Sequence, residues 1–362
     1  MTLTTALHGL VHRIENVFDT TSRAVMRKLG HEPYPIILPY RGFGDRQSFW
    51  VRGRVIEDRG VVFARHSKSL LTNIRHTFHR YETDEIPGAE LNWFFGASSG
   101  SVTTDEEGYF DFTLQPGKDF NAGAAWQDVH LEMVSLPSGN PVPMGATTPV
   151  RTPGPAARYG IISDIDDTIV YTGATNFLKH WRTVVANSAK SRKRYPHQPQ
   201  LYRDLCQGDA GEETNPLFYV SSSPWNLFDL FERYMVLNDI PLGPMLLKDF
   251  GLDQSKWLTG GHDGHKTKMI ERVLTTYPEL NFILIGDSGQ RDLAVYSKIA
   301  ETYPDRVLAV ILHDVTPDSS PKGAETLEAV FSEQGIPYIH TDDYSTAYGP
   351  LREAGLLLAR LS

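Results

Sequence analysis

The sequence predicts an α/β protein in which a doubly wound parallel sheet follows a β-sandwich-like domain. Residues 31–150 contain short runs in which apolar and polar residues alternate, as in half-buried antiparallel strands. Residues 155–362 contain short continuous apolar runs separated by segments of helical periodicity, as in parallel strands covered by helices on both faces. The length of 362 residues is sufficient for two domains.

The segment 1–30 has the pattern of an amphipathic helix. Apolar residues recur at spacings of three and four from Leu3 through Ile14 to Val25, and the pattern ends at Gly30. Its basic residues make an anionic membrane surface one possible partner. Packing of the apolar stripe against the protein's own body is the alternative, and it is the commoner use of such a stripe.

Residues 31–150 are predicted to form a β-sandwich or a small barrel, without a catalytic constellation. The stretch DEEG at 105–108 predicts a hairpin turn between two strands. The stretch RTPGPAARYG at 151–160 contains two prolines and two glycines, a composition typical of linkers. It marks the boundary before the domain at 155–362.

Polar side chains follow three of the apolar runs in that second domain. They are Asp164, Asp166, Asp167 and Thr168 after the first run, Ser221, Ser222 and Ser223 after the second, and Asp287, Ser288 and Asp292 after the fourth. Open parallel sheets bind their ligands at the carboxyl ends of the strands, so these groups are expected to meet at one edge. Carboxylates held this close have raised pKa values unless a cation neutralises them. A few carboxylates with room left for water and phosphate suit Mg²⁺ better than Ca²⁺.

The composition excludes several other classes of protein. The net charge of −9 argues against nonspecific binding of nucleic acid. One cysteine, Cys206, cannot form an intrachain disulfide or a multi-cysteine zinc site, which favours a reducing compartment such as the cytoplasm. No apolar run approaches the roughly 20 residues that span a bilayer, and no secretory signal pattern is visible at the N-terminus.

Four stretches of the second domain together resemble a known family. DIDDT at Asp164 to Thr168, the YVS that ends at Ser221, Lys266 and GDSGQRD at 286–292 resemble the four motifs of the haloacid dehalogenase superfamily, in order and in strand placement. More narrowly, DIDDT, YVSSSPW, HDGHK and LIGDSGQRD are similar to the catalytic domain of actin-patch-type phosphatidate phosphatases. The resemblance covers about residues 155–345.

The resemblance implies a catalytic role for four residues. Asp164 would attack phosphorus and form an aspartyl-phosphate, and Asp166 would protonate the leaving alcohol and then deprotonate the attacking water. Ser221 would hydrogen-bond a phosphoryl oxygen, and Lys266 would neutralise nucleophile and phosphate. Such an attack on a dianion requires compensating positive charge, which the lysine and Mg²⁺ supply.

The resemblance also implies the ligands of the Mg²⁺. They would be Asp164, the backbone carbonyl of Asp166, and Asp287, with Asp292 as a further carboxylate close to the metal.

These residues have other interpretations. Asp164 and Asp166 could belong to a turn or a helix cap, but a cap needs one carboxylate, not several at separate strand ends. One of the three serines is expected to cap the helix near Trp225, so only Ser221 is assigned to the site. Lys256 and Lys268 are alternative candidates for the role assigned to Lys266.

Three further residues near the motifs receive different expectations. His262 and His265 are expected to pack or to position phosphate, because the cluster around them lacks other soft ligands. Asp167 is expected to orient the loop.

An insertion at about 171–215 occupies the position at which the superfamily carries a cap over its site. Basic and aromatic residues are interleaved there: Phe177, Trp181, Arg182, Lys190, Arg192, Lys193, Arg194 and Tyr195. Such a surface would suit an anionic lipid headgroup or a membrane. A solvated helix end is an equally good interpretation.

The sequence therefore predicts a Mg²⁺-dependent phosphomonoester hydrolase in the cytoplasm, with peripheral membrane contact. Phosphatidate, converted to diacylglycerol, is the substrate that the family resemblance implies. One alternative is the same chemistry on a soluble or protein phosphate. The other is a membrane-binding or partner-binding module whose hydrolase domain is vestigial.

Overall fold

The structure is a computed structural model that describes residues 34–58, 85–137, 144–166, 168–169, 195, 197–208, 214–248, 262–288, 290–314 and 324–357. These residues form one largely antiparallel sheet and one parallel sheet, as the predicted mixed α/β class requires. The helix predicted at 1–30 lies outside the described residues.

The first sheet has eight strands that follow one another between residues 34 and 151. They are β1 (Tyr34–Pro39), β2 (Gly42–Gly44), β3 (Phe49–Asp58), β4 (Glu90–Phe95), β5 (Ser98–Thr103), β6 (Tyr109–Leu114), β7 (Trp126–Ser135) and β8 (Gly145–Arg151). Hydrogen bonds join them in the order β1-β3-β2-β8-β7-β4-β5, and β6 pairs with β3. Burial alternates along β7, where Val129, Leu131 and Met133 are buried and the residues between them are exposed. This is the pattern of an antiparallel strand with one face on a core.

The hairpin predicted at 105–108 is wrong, although the turn is present. The Asp105 side chain accepts hydrogen bonds from the backbone N–H groups of Glu107 and Tyr109, and Gly108 has a φ of 75°. However, β5 pairs with β4 and β6 pairs with β3, so the turn passes between two parts of the sheet. The hairpin partner of β5 is β4, across a turn at Gly96, whose φ is 55°.

The second sheet is parallel in every pair and has six strands. They are β9 (Gly160–Asp164), β10 (Leu217–Pro224), β11 (Met245–Lys248), β12 (Phe282–Asp287), β13 (Val307–His313) and β14 (Tyr338–Thr341). Their spatial order is β11-β10-β9-β12-β13-β14, so the direction of winding reverses between β9 and β12. All five residues of β9 are buried, as expected for a central strand. A Cβ at Gly160 would lie 2.3 Å from the Phe282 ring, which explains the glycine at its start.

Six helices accompany the parallel sheet within the described ranges. They are α1 (Gln198–Gln207), α2 (Phe228–Leu237), α3 (His262–Thr276), α4 (Gln290–Thr302), α5 (Ala324–Glu333) and α6 (Tyr348–Glu353). Their apolar residues and those of the sheet form one hydrophobic core. None of these helices is both long and apolar enough to cross a membrane.

The two sheets are in direct contact. Tyr40, Phe43, Trp50 and Tyr109 from the antiparallel sheet belong to the core of the parallel sheet. The buried Arg52 guanidinium lies 4.8 Å from the centre of the Trp225 ring and 4.9 Å from that of Tyr109. On the far side of the contact, the Tyr277 hydroxyl donates to the Arg151 carbonyl at 3.1 Å and accepts from the Gly44 N–H at 2.9 Å.

The described part of the predicted insertion at 171–215 contributes several side chains to the core. Tyr195, expected in an exposed basic and aromatic surface, is only 2% exposed and packs 4.7 Å from the His313 ring. Helix α1 buries Leu201, Tyr202 and Leu205 against the sheet. The other members of the predicted surface, residues 177–194, lie outside the described residues.

Candidate active site

The functional groups lie at the carboxyl edge of the parallel sheet, where the winding reverses. Asp164 ends β9 and Asp287 ends the neighbouring β12, while Ser221 lies near the end of β10 on the other side of β9. The switch point of an open α/β sheet forms a crevice in which ligands bind. The strand order therefore brings residues far apart in the sequence to one place.

Three carboxylates meet in this crevice. One oxygen from each of Asp164, Asp287 and Asp292 lies within 4.8 Å of the others. Asp164 and Asp292 are almost fully buried, and Asp287 is half-buried. Asp292 lies in the first turn of α4, and its Oδ2 accepts a hydrogen bond of 3.2 Å from the Asp287 N–H. A Cβ at Gly286 would lie 2.3 Å from that same oxygen, so the close approach requires glycine.

Lys266 is the cation of the described site. It projects from α3 and is buried, with Nζ 2.8 Å from Asp164 Oδ1, and it also donates to Asp292. Burial lowers the pKa of Lys266, but the two carboxylates outweigh burial and raise it above its ordinary value. The ammonium is therefore charged at any physiological pH.

Carboxylates outnumber ammonium groups in this cluster, among the residues that the structure describes. Three carboxylates and the Lys266 ammonium lie together there in a largely buried place. Burial raises the pKa of Asp164 well above its usual range, and Lys266 opposes that effect only in part. A divalent cation would remove the excess charge, and hard carboxylate oxygens are the ligands that such a cation prefers. The residues present therefore fit a divalent metal.

Asp166 lies apart from these three carboxylates and is held by serines of β10. Ser221 donates to Asp166 Oδ2 at 2.5 Å, and Ser223 donates to Oδ1 and Oδ2 at 2.9 and 3.0 Å. The Ser223 N–H donates to Ser221 Oγ at 2.8 Å. The metal role predicted for Asp166 concerned its backbone carbonyl, and it stays a prediction.

Ser223 is a residue of this site that the sequence interpretation missed. The sequence interpretation expects one of the three serines to cap the helix near Trp225 and assigns Ser221 alone to the site. A signal was available, because residues two apart in a strand point to the same side of the sheet. If Ser221 faces the site, that periodicity places Ser223 there as well.

The loop after β9 is fixed by two further polar residues. Thr168 is fully buried, and its hydroxyl lies 3.4 Å from Asp164 Oδ2. Gln198, at the start of α1, donates to the Thr168 carbonyl at 2.5 Å. Nothing in the sequence distinguishes Gln198 from an ordinary helix residue. Its role arises only because the fold brings the start of α1 beside the first strand end.

The histidine next to Lys266 is not part of the carboxylate group. His265 is half-buried, and its pKa is lowered, first by burial and then by Lys248 and Lys268. Its ring is therefore neutral near pH 7. Lys268 is exposed, which separates it from the buried Lys266. Lys256 and Asp167 lie outside the described residues.

The sequence of this region matches a known catalytic domain. Residues 159–314 match the family described as "Phosphatidate phosphatase APP1, catalytic domain". This stretch contains all nine polar residues just placed at the site, from Asp164 to Asp292.

Two curated proteins are similar to part of the chain. Phosphatidate phosphatase APP1 of Saccharomyces cerevisiae is 32% identical over 177 residues, which are 48% of this chain and 29% of that protein. Uncharacterized protein C29B5.04c of Schizosaccharomyces pombe is 24% identical over 160 residues, 44% of this chain and 25% of that protein. The alignments thus span less than a third of the length of either relative.

The similarity of this chain to solved structures is too weak to identify its fold. A carbohydrate acetylesterase from Xanthomonas citri, XAC1771, is 11% identical and aligns over 85% of this chain and 68% of its own, with a TM-score of 0.29. Over residues 159–314, by contrast, the chain is similar to the catalytic domain of phosphatidate phosphatase APP1, and the resemblance indicated by its motifs is confirmed for that segment.

Proposed function

We propose that the chain is a Mg²⁺-dependent phosphomonoester hydrolase with a haloacid dehalogenase-like catalytic domain at 155–362, acting on phosphatidate. The observation that carries the proposal is the buried group of Asp164, Asp292 and Lys266 at the switch point of the sheet. It combines a nucleophile, a cation and an excess of negative charge where a phosphate and a metal can meet.

Asp164 is the proposed nucleophile. Its carboxylate would attack phosphorus, the bond from phosphorus to the ester oxygen would break, and the phosphoryl group would remain on Asp164. Lys266 lies 2.8 Å from the attacking carboxylate and would reduce its repulsion for the incoming dianion. Thr168 would restrain the Asp164 side chain through a hydrogen bond to its other oxygen, Oδ2.

Asp166 is the proposed general acid and base. Its protonated form would donate to the leaving alcohol, and the carboxylate so formed would take a proton from the water that hydrolyses the aspartyl-phosphate. Ser221 has one hydroxyl proton, which it donates to Asp166. It would hydrogen-bond a phosphoryl oxygen only after it releases Asp166.

The metal would be held by Asp164, the backbone carbonyl of Asp166, and Asp287, with Asp292 beside it. When bound, Mg²⁺ would supply compensating positive charge for the phosphoryl group and for the carboxylates themselves. The excess negative charge of the cluster supports this assignment.

Phosphatidate is proposed because the relative that is 32% identical is named a phosphatidate phosphatase. Cytoplasmic localisation with peripheral membrane contact fits such a substrate. The insertion at 171–215 and the amphipathic segment 1–30 would make that contact, and the β-rich region 31–150 would support the catalytic domain. A soluble phosphomonoester, or a binding role without catalysis, are the competing proposals.

The test is phosphate release with Mg²⁺ from phosphatidate in mixed micelles and from a panel of soluble phosphomonoesters. Asp164→Asn and Asp166→Asn serve as the variants. Selective release from phosphatidate that both substitutions abolish supports the proposal. Release from soluble esters alone would remove the lipid and retain the chemistry, and no release from any ester would favour the binding role.

A further inference from the structure

We propose that Ser223 is a positioning residue that aims the Asp166 carboxyl at the leaving group. The inference rests on the proposed function, because it assigns a role within the same reaction. It extends that function to a residue that lies within the YVSSSPW stretch but outside the four haloacid dehalogenase motifs.

Hydrogen bonds join Asp166, Ser221 and Ser223 to one another. Ser223 Oγ lies 2.9 Å from Oδ1 and 3.0 Å from Oδ2 of Asp166, so it restrains both oxygens. Ser221 donates to Oδ2 at 2.5 Å and accepts from the Ser223 N–H at 2.8 Å. The two serines together fix the carboxyl plane, which neither hydroxyl would fix alone.

Ser221 and Ser223 both reach Asp166 from the end of β10. The pairing of β10 with β11 is regular at Tyr219 and Val220, then shifts register before it resumes at Pro224. Such irregularities are frequent next to active sites.

Ser223 becomes more important when the substrate binds. If Ser221 turns to a phosphoryl oxygen, its single proton leaves Asp166. Ser223 is then the serine hydroxyl that still holds the acid. Ser221 is fully buried, whereas Ser223 is partly exposed.

In the reaction, the Asp166 carboxyl must point its proton at the oxygen of the leaving group. As the Asp164 oxygen bonds to phosphorus and the ester bond breaks, the Asp166 proton moves to the departing ester oxygen. An alkyl alcohol is a poor leaving group and needs this proton, whereas a phenol with electron-withdrawing substituents leaves without it. If the Asp166 carboxyl is no longer oriented correctly, hydrolysis of alkyl esters should therefore slow more than hydrolysis of activated aryl esters.

The experiment measures kcat and KM for phosphatidate, which is an alkyl phosphate, and for one activated aryl phosphate. Ser223→Ala is compared with Ser222→Ala, a neighbouring serine that strand alternation directs to the other side, and with Ser223→Thr, which keeps the hydroxyl. We expect Ser223→Ala to reduce kcat about 10-fold or more on the alkyl ester and less than about 3-fold on the aryl ester, within the range of general acid catalysis. KM should be unchanged, Ser222→Ala should match the wild type, and Ser223→Thr should restore most of the rate.

Further outcomes separate this inference from the proposed function. Equal losses on both esters, or no loss on either, would overturn the role of Ser223 while the hydrolase remains. In the Asp166→Asn background, Ser223→Ala should cause no further loss on the alkyl ester, and an additional loss there would also overturn the role. A wild type that hydrolyses neither ester would overturn the proposed function, and this inference with it.

Discussion

Lys266 Nζ lies 2.8 Å from Asp164 Oδ1, in a buried ion pair between α3 and the end of β9. The same ammonium donates to Asp292, so one lysine joins α3, β9 and α4 at the carboxyl edge of the parallel sheet. This pair places the proposed nucleophile and its counter-charge together before any substrate arrives.

Lys266→Met should remove activity and weaken the fold. Loss of the ammonium leaves two buried carboxylates without it, and breaking a buried pair typically costs about 3 kcal/mol or more. We expect kcat to fall by at least about 100-fold, as for other losses of charge stabilisation in a transition state. Urea unfolding and phosphate release measure the two effects. The exposed Lys268→Met is the matched control, and equal behaviour of the two variants would contradict the assignment.

Mg²⁺ should stabilise the protein through the carboxylate group. A ligand that binds only the folded state raises the melting temperature with its concentration. We expect this rise in the wild type and in Asp342→Asn, an exposed control, and its loss in Asp287→Asn. Thermal unfolding with and without Mg²⁺ is the measurement. A rise that persists in Asp287→Asn would place the cation elsewhere.

The metal-free protein should lose stability as the pH rises above about 4. The pKa of Asp164 is raised in the folded state, mainly by burial, and lies near 3.9 in an unfolded chain. The folded state therefore binds more protons between these two values, and the free energy of unfolding falls as the pH rises through that window. Asp164→Asn should flatten this dependence. Urea unfolding with a chelator at several pH values tests it, and an unchanged slope in the variant would contradict the buried charge.

Tyr277→Phe should weaken the contact between the two sheets. The buried hydroxyl donates to the Arg151 carbonyl and accepts from the Gly44 N–H, and its removal leaves two backbone groups without that partner. Such losses cost about 1–3 kcal/mol. Tyr303→Phe, at a half-buried position, should have little effect. Equal unfolding curves for the two variants would mean that the hydroxyl contributes nothing to the contact.

The proximity of the carboxylates was predictable from the sequence, because the carboxyl ends of parallel strands lie at the same edge of a sheet. Asp164, Asp287 and Asp292 follow apolar runs, so their proximity was expected from the pattern, and the structure brings them together. The choice of Lys266 over Lys268 came from the family motif, since both lie on one polar helix start. Their burial separates them only in the folded chain.

Other features depend on contacts that no local pattern encodes. Gln198 reaches Thr168 because α1 packs beside β9, and Tyr195 is buried because His313 lies under it. The turn at 105–108 has the residues of a hairpin, yet the strands on either side pair with different neighbours. Turn chemistry fixes the reversal of the chain, whereas the sheet core decides which strands pair.

Trapping the phosphoryl group on the protein tests the nucleophilic role of Asp164 directly. Asp166→Asn, with Mg²⁺ and an activated aryl phosphate, should form the aspartyl-phosphate without the acid and hydrolyse it slowly without the base. Acid quenching followed by peptide mass spectrometry should then find one phosphoryl group on Asp164, and none in the variant that also carries Asp164→Asn. Phosphorylation at another residue, or turnover of the ester without any phosphorylated peptide, would contradict the nucleophilic role of Asp164.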